Sequence, residues 1–123
     1  MPKEMTEDEV RRAFLKKMWT NLEYWEHQTS MDSREKLEGF LHSTLATIGG
    51  CTDLPGFILA PLPHSSDKAY LIDNGEDFYP ENHRAARMIK CDIGSGLHSQ
   101  MFQMRPPEHP VEKIIKKVLK ENP

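Results

Sequence analysis

The sequence predicts an α+β domain. Two long amphipathic segments, 6–30 and 32–48, come first. A middle stretch follows with two short apolar runs and an Asn-Gly dipeptide, and after it helical periodicity returns. With 123 residues the chain suits one domain, 1–123. It is 37% hydrophobic and 28% charged, which supports a modest core rather than whole-chain disorder.

Thr6 followed by Glu9 is the reciprocal capping arrangement of a helix start, and Glu7, Asp8 and Glu9 suit the positive end of its dipole. Val10, Phe14, Met18, Leu22 and Trp25 recur on one face, with Trp19 and Tyr24 off that stripe, so this helix covers more than one neighbour. Fraying is expected at 27–30. The second helix opens at Asp32 or Ser33. Leu37, Phe40, Leu41, Thr44, Leu45 and Ile48 give it the cleanest amphipathic pattern in the chain, and Gly49-Gly50 ends it. The short link makes the two helices antiparallel neighbours.

Residues 56–62 read as a strand that Pro61 confines to an edge or bends. Residues 68–73 read as a second strand, Asn74-Gly75 as a hairpin turn and 76–79 as the returning strand. The result is a two- or three-stranded antiparallel meander. A third helix from Asn82 to Met104 carries Ala86, Ile89, Ile93, Leu97 and Met104, and packs on the helical pair; Gly94 and Gly96 cost it about 1 kcal/mol each against alanine. After Pro106-Pro107 a C-terminal amphipathic helix, 107–121, with Pro110 in its first turn, shows Val111, Ile114, Ile115, Val118 and Leu119 on one stripe. It is expected to dock loosely or in an oligomer contact.

The net charge of −3 argues against a general nucleic-acid binder. The longest run without formal charge, Gly39 to Thr52, falls short of the ~20 apolar residues of a membrane span. The acidic N-terminus is unlike a signal peptide. No membrane association and a cytoplasmic location are therefore expected. Cys51 and Cys91 form no C-x-x-C pair and suit free thiols in a reducing compartment. Residues 105–123 carry five basic and three acidic groups, a weakly basic tail on an acidic body.

One constellation could carry chemistry. Glu38 and His42 are one helical turn apart, and His98, in a second Leu-His-Ser segment, would complete a two-histidine, one-carboxylate divalent-metal site with Asp92 nearby. A small metal-dependent hydrolase is thus the alternative reading. Helical Glu–His pairs are common, and an ordinary flanking pair is the simpler account. Asp73 to Asp77 gathers carboxylates at a turn but fails the calcium-loop pattern. Gly94-Ser-Gly96 lacks the strand and lysine of a phosphate cradle, and the serines lack a nucleophile context.

The segments Glu38-Gly-Phe-Leu-His-Ser43, Gly50-Cys-Thr-Asp-Leu-Pro-Gly-Phe57, Asn74-Gly-Glu76, Tyr79-Pro80 and Asp92-Ile-Gly-Ser-Gly-Leu-His98 resemble, in that order, a group of small uncharacterised bacterial and phage-encoded proteins. The likeness covers roughly residues 38 to 98 and implies no activity. The expected function is a non-enzymatic protein-interaction or accessory module that self-associates, its partner being itself or another protein, without a cofactor. Surplus aromatics on the first helix, and Cys91, His98 and Phe102 on a second side of the third, supply the surface for it.

Overall fold

The computed structural model describes residues 1–107 and, at positions 83, 85 and 86, the backbone alone. The expected C-terminal helix, 107–121, lies outside the described residues apart from its first position. Five helices follow one another: α1 (Glu7–Glu26), α2 (Ser33–Ile48), α3 (Asp67–Asp73), α4 (His83–Met88) and α5 (Leu97–Gln100). A 3₁₀ turn at Met101–Met104 runs on from α5.

The start of α1 is the capping box in full: Thr6 Oγ1 accepts from the Glu9 N–H at 3.2 Å, and Glu9 Oε1 accepts from the Thr6 N–H at 3.1 Å. The Lys3 ammonium on Glu9, together with the Thr6 N–H and hydroxyl, holds this carboxyl down at about 2, against an ordinary value of 4.5. A carboxyl depressed in the folded chain contributes stability above its unfolded value and loses it as the pH falls through the folded one. Helicity by circular dichroism is therefore expected to fall between pH 4.5 and about 2, and Glu9→Gln to flatten that window. An unchanged profile in the variant contradicts the assignment.

Asp32 caps α2, its carboxylate accepting from the Glu35 N–H at 2.8 Å. The helix ends in a Schellman motif: Gly50 sits at φ +81°, Cys51 N–H donates to Ala46 O and Gly50 N–H to Thr47 O. Residues 49–56 then fold back tightly. A Cβ on Gly50 would lie 3.0 Å from the Gly56 main chain, so only glycine lets the two backbones meet. Lys17 anchors the loop through Asp53 at 2.7 Å and holds that carboxyl below the usual carboxylate range.

The α+β expectation is overturned, because the described residues contain no strand. Residues 68–73 are the body of α3. Asn74-Gly75 ends that helix instead of turning a hairpin, with Gly75 at φ +68°, Gly75 N–H donating to Ile72 O and Glu76 N–H to Leu71 O. The dipeptide supplies a positive φ, and a Schellman motif uses it as readily as a hairpin does. Residues 56–62 and 76–79 form no ladder; Pro61 removes a donor from within the first of them, and Pro55 and Pro63 flank it. The chain still doubles back, for the Lys68 ammonium stands 5.2 Å from the Phe78 ring centroid.

The single third helix, Asn82–Met104, is corrected too. It breaks between α4 and α5, where Gly96 takes φ +78° and the Asp92 carboxylate accepts the Gly94 N–H at 3.0 Å. Its packing on the helical pair is carried by α1. Arg11, buried, donates from Nε to Ile93 O at 3.3 Å and from Nη2 to Glu7 at 2.7 Å. Trp19 Nε1 donates to Met101 O at 2.6 Å. Around Phe14 and Leu15, the buried apolar residues, the Phe57 ring stands edge-on to Phe14 at 5.1 Å.

Candidate functional site

The α1–α2 contact uses a different face of α2 from the one the amphipathic pattern suggests. Gly39, Ser43 and Thr47, spaced one turn apart, form the row that meets α1. Trp25 lies flat on Gly39, where a Cβ would come within 2.5 Å of its ring, and its Nε1 donates to Ser43 Oγ at 2.8 Å. Asn21 Nδ2 donates to Thr47 Oγ1 at 3.4 Å, and Thr47 is wholly buried. Small residues let the two helices approach, and the tryptophan's polar edge finds a partner inside the contact.

At ~100° per residue, Leu37, Leu41 and Leu45 then fall on the side of α2 away from the Gly39–Ser43–Thr47 row, with Leu37 at the rim where that side meets the cleft between the helices. They are 67%, 59% and 57% exposed. A leucine row at i, i+4 and i+8 stands unpartnered among the described residues. The sequence places these leucines on the apolar stripe of α2. Periodicity marks an apolar face without saying what covers it.

The same rotation separates the metal candidates. Glu38 and His42 lie ~100° to one side of the row that meets α1, and Phe40 and Thr44 lie ~100° to the other. His98, on α5, borders the cleft on the Phe40–Thr44 side. Glu38 accepts from Arg34 Nε at 2.7 Å, His42 is exposed, and His98 Nε2 is 3.4 Å from Ser99 Oγ. Asp92 is occupied with the Gly94 N–H. Among the described residues no three of His, Cys, Asp and Glu assemble into a group that would hold a metal ion. Cys51 and Cys91 are free and exposed.

A second apolar feature runs along the hairpin. One cleft, of about 300 Å³, is lined by Leu15, Met18 and Trp19 of α1, by Phe40 and Thr44 of α2, and by α5 and the 3₁₀ turn. Another, of about 480 Å³, continues it past Trp25 and Glu26 to Lys36 and Leu37. Leu22 and Phe40 border both, so the two form one groove between α1 and α2. No sequence signal set this groove apart, because its walls are the helices' ordinary apolar stripes. No described helix is long and apolar enough to cross a membrane. Compared with protein-family models, with curated proteins and with solved structures, the chain finds no match in any of the three.

Proposed function

We propose that this chain is a non-enzymatic cytoplasmic protein-interaction module that self-associates, and that the outer face of α2 is its contact surface. The observation that carries the reading is the exposed row Leu37, Leu41 and Leu45. Fully burying a leucine is worth about 1.5–3 kcal/mol, so a row of three favours a partner. A second copy fits best. From Gly39 to Thr52 the chain holds no formal charge, so two copies meeting at Leu41 and Leu45 bring no charges together there, and beside Leu37 the Glu38 carboxylate is already paired with Arg34 at 2.7 Å. Crossing antiparallel about a two-fold axis at Leu41, each Leu37 meets the partner's Leu45, a self-complementary arrangement. Exposed, unpaired Cys51 and Cys91 suit a reducing compartment.

The row alone offers less than the ~800 Å² per partner of a standard stable interface, so the dimer is expected to be reversible. Sedimentation or light scattering of the wild type should show mass rising toward the dimer with concentration. Leu41→Glu and Leu45→Glu should hold the chain at monomer mass while retaining its circular dichroism. A wild type that stays monomeric at every concentration, or variants that dimerise as before, would refute the proposal.

A further inference from the structure

The groove between α1 and α2 has a chemistry apart from that of the outer leucine row. We infer that it is a binding site for an unbranched medium-chain carboxylate, a fatty acid of about ten carbons, with its head at Arg105 and its tail toward Trp25.

The walls select the tail. Met18, Trp19 and Leu22 of α1 and Phe40 of α2 line the cleft of about 300 Å³, and Trp25 and Leu37 carry the apolar lining on through the cleft of about 480 Å³. The polar atoms along these walls are already engaged. Thr44 Oγ1 donates to the Phe40 carbonyl at 3.0 Å, Trp19 Nε1 to Met101 O at 2.6 Å and Trp25 Nε1 to Ser43 Oγ at 2.8 Å. A sugar, a nucleoside or an extended peptide would be desolvated there without partners, whereas a hydrocarbon chain has no hydrogen bonds to lose.

Charge selects the head and its direction. The Arg105 guanidinium stands 5.5 Å from the Trp19 ring centroid and 4.9 Å from that of Phe102, and it pairs with no carboxylate among the described residues. Aromatic contact steadies the guanidinium while leaving its N–H groups for bidentate donation to a carboxylate. His98 lines the same end of the groove. Glu26, the one carboxylate among the described residues that line the groove, stands at the far end, where a second anion would be repelled.

The distance between those ends sets the length. From Trp19 to Glu26 the wall of α1 runs ~10 Å at 1.5 Å per residue. A zigzag chain advances ~1.2 Å per bond, as extended main chain does, so about ten carbons fill it.

Trp19 and Trp25 are the chain's two tryptophans, and both line the groove, so their emission reports its occupancy. Sodium decanoate, kept below its micelle concentration, should change that emission saturably. Calorimetry with hexanoate, octanoate and decanoate should show affinity rising about fourfold per methylene, with little further gain past about twelve carbons. Arg105→Gln should weaken decanoate about fivefold, the scale of an exposed ion pair, and leave the binding of decanol unchanged. Leu41→Glu, which tests the outer face, should bind decanoate as the wild type does, so the two readings fail separately. No saturable binding, an affinity indifferent to chain length, or an Arg105→Gln variant that holds decanoate as before overturns the inference. Binding that appears only in Leu41→Glu overturns it as well, because a second copy then fills the groove.

Discussion

Phe14→Ala should lower the unfolding free energy by about 3–5 kcal/mol, the range for removing a buried phenylalanine. Two effects add. The lost ring forfeits its transfer from water, and the cavity closes badly because two sides of the site are fixed. On one side stands the edge of Phe57, held by the Phe57 N–H to Ile48 O hydrogen bond at 2.8 Å. On the other, Arg11 and Trp19 fasten α1 to the main chain at Ile93 and Met101. Stability of a small domain is of the same order as this loss, so the variant is expected to be largely unfolded at ambient temperature. Urea titration followed by circular dichroism measures it. A loss below about 1 kcal/mol would mean that Phe14 is not central to the core.

Gly39→Val should be the second most damaging change, at about 1–3 kcal/mol from overpacking. A Cβ at residue 39 comes within 2.6 Å of three ring carbons of Trp25, so either the indole moves or α2 does. If the indole moves, its hydrogen bond to Ser43 is lost with it. Gly39→Ala makes the sign informative. In an open helical position alanine would stabilise by about 1 kcal/mol over glycine; against Trp25 it should destabilise. Thermal unfolding of the pair, read alongside tryptophan emission, checks both. Stabilisation by alanine would show that the indole gives way freely and that the close approach is not required.

Much of the fold was legible wherever the signal is local. Thr6 with Glu9, Asp32 with the Glu35 N–H, and Gly49-Gly50 each satisfy orphan groups within a few residues, so sequence alone placed the start of α1 and both ends of α2. Non-local choices were not legible. Asn74-Gly75 announces a positive φ, but whether it joins 68–73 to 76–79 as a hairpin or ends a helix depends on partners elsewhere in the chain, and Pro61 removes a donor from 56–62, the strand that would have extended the pair. The face that α2 turns to α1 was hidden for a related reason. Three leucines outweigh Gly39, Ser43 and Thr47 in any hydrophobic pattern, yet the small row is the one that accepts a tryptophan ring and its N–H. Glu38 and His42 stand one turn apart on α2, but which flank of α2 meets α5 depends on that same rotation.

The ties of Arg11 to Ile93 and of Trp19 to Met101 both end on carbonyl oxygens of the main chain. A carbonyl is present whatever residue carries it, so these anchors hold the path of the backbone and do not themselves depend on which side chains stand at 93 and 101. Replacing either residue therefore leaves its tie to α1 in place, whereas replacing Arg11 or Trp19 removes one.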